Sequence, residues 1–356
     1  MTTFLFATTN GVGLGHVTRS MAIARRLPEG VQPVLFTLSQ AVPVIRSEGF
    51  YSEYLPSLEQ TGMESHPWHL GYERRLRNLL SVYDPSVVVF DGTFPYKGLR
   101  RAMLREPDRL FVWCRRAMWK PGLGGSNLDL ASAFGAVLEP GEFSAEADAG
   151  LTVARRGEAF SVPPITYLDE SDLLSRGEAK RELGLAHDRL NVLLQLGTGN
   201  LSEIESVLAR CVARLRKDPR VQLAVAVSAL SGRPPKLPED IVALSVYPLS
   251  RYYRAFDLSI SAAGYNSFHE LLRFQVPTLF VPNPRMALDD QVARARYAEA
   301  VGVARTWTDD ADASLEELLG TLLDDGVRAG MEGRARELSF DNGAMAAADM
   351  LVSAAR

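Results

Sequence analysis

Three short stretches of the chain hold residues whose types and spacing could do chemistry. In Asn10-Gly11-Val12-Gly13-Leu14-Gly15-His16, a glycine loop runs into an imidazole where a helical pattern begins. A dinucleotide fingerprint needs a glycine where His16 stands and an acid about 20 residues further on, where Thr37-Leu38-Ser39 follows instead. A Walker loop needs a Gly-Lys pair, and the chain contains none. The loop instead offers backbone N–H groups and sets His16 at a helix N-terminus, whose positive end disfavours imidazolium. His16 is therefore expected to be a neutral base; the plainer alternative is a histidine that only caps the helix.

The second stretch, Ser261-Ala262-Ala263-Gly264-Tyr265-Asn266-Ser267-Phe268-His269-Glu270, leads from a strand into a helix. Gly264, Asn266 and Ser267 sit where a helix N-terminus holds a diphosphate through N–H and hydroxyl donors. Glu270, about one turn further in, could accept from ribose hydroxyls, or else simply complement the helix dipole. His269-Glu270 begins like a zinc-protease helix, but Arg273 stands at the partner position, so no metal is expected. The third stretch, Pro282-Asn283-Pro284-Arg285 with Leu288-Asp289-Asp290-Gln291, enters another helix. There Asp290 and Gln291 pair a carboxylate with an amide, which suits sugar hydroxyls, although Asp-Asp-Gln before a helix is also a common cap. Asp91 ends the apolar run Val87–Phe90 and could orient an acceptor or His16. His66-Pro67-Trp68-His69 reads as a loop lining, and Asp310-Ala311-Asp312 as the cap of a helix over 313–323.

These groups need a scaffold that brings them together. Short apolar runs at Phe4–Ala7, Val34–Phe36, Val87–Phe90 and Leu110–Trp113 alternate with helical patterns, which implies a parallel sheet covered on both faces. The pattern restarts at Asn191–Leu196, followed by Gly197-Thr198-Gly199-Asn200 and a helix, with further strands at Val221–Val227, Ile241–Val246, Leu258–Ser261 and Thr278–Val281. The stiff Val162-Pro163-Pro164-Ile165 is the expected linker. Two doubly wound α/β domains are thus expected, 1–162 and 163–340, with a helix at 342–356 free to pack back on the first. Facing each other, they would place an inter-domain cleft at the C-terminal ends of their strands.

Composition narrows the function classes. The 356 residues carry 39 basic and 43 acidic side chains, for a formal charge of −4. Residues 1–160 account for 17 basic and 16 acidic, which leaves 22 and 27 for the rest. A basic domain with a docking element for DNA is missing, so no nucleic-acid partner is expected. No uncharged apolar run reaches the ~18 residues of a membrane span, the start lacks a signal-peptide pattern, and Cys114 and Cys211 are too few for a disulfide framework. A cytoplasmic protein is expected. Eight cations between Lys97 and Lys120 read most simply as a solvated helix face, with contact to an anionic acceptor or lipid headgroup as the alternative.

Taken together, the G-x-G-x-G-H loop and the late A-G-x-N-S-x-x-E…P-x-L-F-V-P…D-Q pattern resemble glycosyltransferases of the GT-B fold, in particular the MurG-like group. The resemblance implies an N-terminal acceptor domain, a C-terminal nucleotide-sugar domain, a UDP-sugar donor and inversion at the anomeric carbon. It implies His16 as the base, Gly13 and Gly15 facing diphosphate or acceptor, and Gly197 and Thr198 facing the phosphates. Val246 would meet the nucleobase through its backbone, Gly264, Asn266 and Ser267 would hold the diphosphate, Glu270 the ribose, and Asp290 with Gln291 the donor sugar. No metal or other cofactor is implied. Many relatives have paired glutamines where Asp290-Gln291 stands, so the donor sugar is left open. So is the acceptor, whether small molecule, glycan or lipid-linked, and with it a peripheral position at the inner membrane face. Gly15-His16-Val17-Thr18-Arg19-Ser20 also looks like the loop of a UDP-sugar hydrolase of sialic-acid-like biosynthesis, and a GT-B epimerase is a weaker likeness. A non-catalytic nucleotide-sugar sensor is the contrasting class.

Overall fold

The structure is a computed structural model that describes residues 2–9, 13–197, 201–227, 237–309 and 313–356, with 201–203 as backbone only. The chain folds into two compact units. The first holds Met1–Glu142, Asp148–Tyr167 and Asp341–Arg356, and the second holds Phe143–Ala147 and Leu168–Phe340.

The first unit is built on seven parallel strands: β1 (Thr2–Thr8), β2 (Val31–Thr37), β3 (Tyr51–Tyr54), β4 (Val87–Asp91), β5 (Leu110–Cys114), β6 (Ala136–Pro140) and β7 (Phe160–Val162). Their order across the sheet is β3-β2-β1-β4-β5-β6-β7. Central strands of a parallel sheet are covered on both faces and read as unbroken apolar runs. Accordingly every residue of β4 is buried, as are Phe4 to Thr8 of β1. The second unit has six parallel strands: β8 (Leu190–Gln195), β9 (Val221–Ala226), β10 (Val242–Leu244), β11 (Leu258–Ser261), β12 (Thr278–Phe280) and β13 (Arg305–Thr306), in the order β10-β9-β8-β11-β12-β13. Its core lies on both faces of this sheet, around Leu193, Phe268, Leu271 and Phe280 on one side and Val192, Leu194, Leu215 and Leu319 on the other. Both sheets are Rossmann-like and doubly wound.

The strands missed in the sequence are β3, β6, β7 and β13. Three of these are edge strands, and β6, next to the edge, carries Glu139 and Pro140, which interrupt an apolar run. Glu139 is nonetheless buried, because Arg115, which follows β5, donates to it at 3.0 Å. The strand expected over Ile241–Val246 is shorter, Val242–Leu244. His66-Pro67-Trp68-His69 is the first turn of a helix, Ser65–Tyr83, rather than a loop.

Residues 163–167 stay with the first unit. The Gly343 N–H donates to the Pro164 carbonyl (2.9 Å), and the Asn342 side chain binds both the N–H and the carbonyl of Thr166 (3.1 and 3.0 Å). Gly343 is required there, since a Cβ would lie 2.0 Å from the Pro163 oxygen. The helix Ala344–Ala354 that follows packs on β7 and on the helix Gly15–Ala24, burying Ala347, Ala348 and Leu351.

Candidate active site

In a doubly wound sheet, ligands bind at the carboxyl ends of the strands where the order of winding reverses. The first sheet winds outward from β1 through β2 to β3, then returns to β4 on the other side of β1, so its switch point lies between β1 and β4. His16 follows β1 and Asp91 ends β4, with Thr8 of β1 in register with Asp91. The second sheet reverses between β8 and β11. Gly197 follows β8 and Gly264 follows β11, and Gln195 is in register with Ser261. Both glycine motifs thus sit where the topology opens a crevice in their own sheet.

At the first switch point, His16 Nδ1 lies 2.6 Å from Asp91 Oδ1. Arg19, one turn on from His16, donates its Nε to Asp91 Oδ2 at 2.9 Å and an Nη2 hydrogen to Oδ1. The three side chains are nearly closed to solvent, at 8% for His16, 2% for Arg19 and 1% for Asp91. Burial alone would raise the Asp91 carboxyl, but Arg19 and His16 outweigh it and hold the group below its usual range. An ionised carboxylate only accepts, so His16 Nδ1 carries the hydrogen and Nε2 is left with its lone pair. Arg19 Nη2 also approaches His16 Nδ1, at 3.1 Å. Both atoms are then donors, and both point at Asp91. Burial lowers the His16 pKa from 6.5, and the Asp91 carboxylate opposes this only in part. The outcome is a neutral imidazole with one basic nitrogen, held in place by a buried carboxylate.

The loop that leads to His16 is described from Gly13. Gly13 is half-buried and its carbonyl accepts from Ser39 Oγ (3.3 Å), while Gly15 is exposed and begins the helix Gly15–Ala24. Gly11 and Val12 lie outside the described residues. Gly92, next to Asp91, keeps the end of β4 against β1, because a Cβ there would lie 2.4 Å from Thr9 Cγ2.

At the second switch point, Gly197 is exposed and takes φ +77°, with a Cβ position 3.6 Å from that of Ala262. Such a left-handed backbone favours glycine. Thr198 lies outside the described residues, as do Gly199, Asn200 and Asp310 to Asp312. Gly264 is the N-cap of the helix Tyr265–Arg273 and has no side chain to cover the first N–H groups. Space around it is open, with no atom within 4 Å of a Cβ placed there. Asn266 and Ser267, half-buried in the first turn, add an amide and a hydroxyl to this N-terminus. Glu270 is buried to 7% exposure near Tyr253, whose phenol is pushed well up by burial and by the Glu270 carboxylate. The Tyr253 hydroxyl lies within hydrogen-bond distance of the Gln195 amide (3.2 Å). Val246 follows β10 and is 37% exposed.

Asp290 and Gln291 are engaged locally. Asp290 Oδ1 accepts from the Ala293 N–H (3.0 Å), the helix-cap arrangement, at the start of the helix Gln291–Ala300. Gln291 is buried, its Oε1 accepting from the Asn283 N–H (3.1 Å) and its Nε2 donating to Asp289 Oδ2 (3.3 Å). The ion pair in this loop belongs to Asp289, bonded to Arg294 at 2.9 Å. The basic stretch from Lys97 to Lys120 is not one solvated face. Lys97, Arg100, Arg101 and Arg105 lie on the helix Lys97–Arg105, Arg109 pairs with Asp84 and Glu106, and Arg115 is fully buried. His269 is also fully buried, where its Nε2 accepts from the Phe143 N–H (3.1 Å).

Arg19, Gln195, Tyr253 and Arg294 were not singled out in the sequence. A faint signal existed for two of them. Arg19 stands three residues after His16 on the same helix face, and Gln195 is a polar end to the apolar run Val192-Leu193-Leu194.

Residues 177–348 match the family model described as the glycosyltransferase family 28 C-terminal domain. The UDP-N-acetylglucosamine–N-acetylmuramyl-(pentapeptide) pyrophosphoryl-undecaprenol N-acetylglucosamine transferase of Bacteroides thetaiotaomicron is 25% identical over 177 residues, which is 46% of this chain and 46% of that protein. The aligned chain thus spans about half the length of this curated relative. Among solved structures, the spinosyn rhamnosyltransferase SpnG is 17% identical with a TM-score of 0.65, over 98% of this chain and 99% of that one. MurG of Acinetobacter baumannii is 16% identical with a TM-score of 0.60, over 99% of each chain. The spinosyn forosaminyltransferase SpnP reaches a TM-score of 0.68 at 14% identity, over 98% of each. These structures show the GT-B fold, and the family match bears out the MurG-like resemblance read from the sequence.

Proposed function

We propose that this GT-B, MurG-like chain is an inverting glycosyltransferase that moves a sugar from a nucleoside diphosphate donor to an acceptor hydroxyl, with His16 as general base. The observation that carries the reading is the His16–Asp91 pair at the first switch point, 2.6 Å apart and closed to solvent, which leaves Nε2 able to take a proton. Attack by the acceptor oxygen on the face opposite the nucleotide inverts the anomeric carbon, and the hydroxyl proton passes to Nε2. Charge then develops on the departing diphosphate. The open N-terminus at Gly264–Ser267 supplies N–H and hydroxyl donors for it, with no metal required. Asp91 holds the imidazole and balances the imidazolium as it forms.

The donor is proposed to be UDP-linked, with Glu270 accepting from both ribose hydroxyls, a reading supported by the curated relative's name, which specifies a UDP-sugar. The competing nucleotide is thymidine diphosphate, with which SpnG has been crystallised. The acceptor is proposed to be amphipathic or lipid-linked and met at the cytoplasmic membrane surface. Leu104, 82% exposed, shares a helix with the exposed Lys97 and Arg105, an apolar and cationic combination that suits an anionic surface. Among the described residues, no helix is long and apolar enough to cross a membrane.

A thermal-shift and calorimetric screen of UDP-, dTDP- and GDP-sugars tests the donor, since at equal concentration the tighter ligand stabilises the fold more. Product analysis with the bound donor tests the reaction. His16→Ala is expected to keep nucleotide binding and to lose at least about 10²-fold in turnover. Unchanged turnover removes the base assignment, and free sugar formed at full rate without an acceptor points to hydrolysis instead.

A further inference from the structure

Arg294 is fully buried in the second unit, on the helix Gln291–Ala300, and it ties together two loops. Its Nη1 donates to the Ala263 carbonyl at 3.0 Å, one residue before the Gly264 N-cap. Its Nη2 donates to Asp289 Oδ1 at 2.9 Å. Asp289 Oδ2 in turn accepts from Gln291 Nε2, and Gln291 Oε1 accepts from the Asn283 N–H. The guanidinium lies 5.9 Å from the Phe268 ring centroid, and the backbone carbonyl of Arg294 accepts from the buried Ser144 hydroxyl (3.0 Å). A continuous line of bonds therefore runs from the loop before the helix Tyr265–Arg273 to the loop 283–291.

Burying a charge here is costly even when it is paired, and an apolar side chain of similar size could fill the space. What an apolar chain could not do is hold two acceptors at a fixed angle. The planar guanidinium fork does this, and a lysine ammonium does not. We propose that Arg294 is a positioning residue that sets the peptide at Ala263-Gly264, and with it the N–H groups of the diphosphate site, against the loop 283–291. In this role Arg294 acts through the Ala263-Gly264 peptide rather than on the donor. The proposal rests on the glycosyl-transfer reading for the identity of the ligand, but not for the existence of the brace.

The test uses the full chain and three variants, Arg294→Lys, Arg294→Met and Asp289→Asn. Calorimetry compares UDP and dTDP with UMP and dTMP, and hydrogen exchange follows the amides of residues 264–267. In Arg294→Met and Arg294→Lys, monophosphate affinity is expected to stay within about twofold while diphosphate affinity falls about tenfold, with faster exchange at 264–267. Asp289→Asn is expected to lower diphosphate affinity and speed exchange at 264–267 by less, with monophosphate affinity again within about twofold. A purely structural role would lower monophosphate and diphosphate binding together, and that result overturns the proposal. So does a folded Arg294→Lys that binds diphosphate and exchanges as the wild type does. Should Arg294→Met fail to fold, the other two variants decide the matter. A wild-type chain that binds no nucleoside diphosphate refutes the glycosyl-transfer reading, and hydrogen exchange in the same variants still judges the brace.

Discussion

Replacing Asp91 with asparagine separates the roles at the first switch point. The carboxylate now accepts from His16 Nδ1 and from both Nε and Nη2 of Arg19. An amide has one acceptor atom, which the Arg19 fork takes, and this leaves an NH₂ facing His16 Nδ1. The imidazole must then move its hydrogen to Nε2, the atom needed as base. The negative charge that balances imidazolium is lost as well. Two unit charges about 4 Å apart interact by about 4 kcal/mol at an effective dielectric of about 20. At about 1.4 kcal/mol per tenfold, that corresponds to a rate loss of about 10³. An inverted tautomer of this kind costs up to about 10⁴. Arg19 is also left as a buried, uncompensated charge, at a cost to stability of about 3–5 kcal/mol. Adding Arg19→Met removes that charge. The double variant should therefore recover much of the stability, and its freed amide oxygen can accept from His16 Nδ1, but the rate should stay down by the roughly 10³ that the missing negative charge costs. The assay is kcat from nucleotide release at saturating donor and acceptor, alongside thermal unfolding and nucleotide calorimetry. The reasoning fails if folded Asp91→Asn keeps kcat within about threefold of the wild type, or if the double variant regains activity along with stability.

Other outcomes follow from the same geometry. His16 has its pKa lowered from 6.5 by burial, so the base stays neutral at pH 7 and the rate should decline only as pH drops through a value below 6.5. The unfolded chain takes up this proton first, so stability declines over the same interval, and an acid limb centred above 6.5 contradicts the assignment. Glu270→Gln should weaken UDP binding by about tenfold and erase the preference for UDP over dTDP, read by calorimetry; an undiminished preference sinks the ribose assignment. Gly98→Ala puts a Cβ 2.4 Å from the His69 carbonyl oxygen, where the helices Lys97–Arg105 and Ser65–Tyr83 meet backbone to side chain. It should destabilise by about 1–3 kcal/mol in thermal unfolding without changing nucleotide affinity.

The central strands were legible because burial on both faces writes itself as an unbroken apolar run, as in Val87-Val88-Val89-Phe90. Edge strands carry no such mark, and Tyr51–Tyr54 and Phe160–Val162 went unread. His16 and Asp91 were each visible, one by its glycine loop and the other by its place at a strand end. Their bond was only one option among several, since 75 residues separate them and the order of the sheet decides that β4 lies beside β1. Asp289 and Asp290 are neighbours of identical type, and composition cannot tell which caps a helix and which is paired with Arg294. Only the backbone path decides that, by putting Asp290 at the N-cap and turning Asp289 inward.

The helix Ala344–Ala354 completes the first unit, yet it is encoded after the whole of the second. During synthesis, the surface that receives it, on the helix Gly15–Ala24 and β7, emerges early and waits while residues 168–340 are added. At about 5–20 residues per second, that wait lasts on the order of ten to thirty seconds. The first unit is therefore begun first and closed last, and for that interval an apolar face that Leu351 and its neighbouring alanines will cover stands open to other nascent chains or to a chaperone.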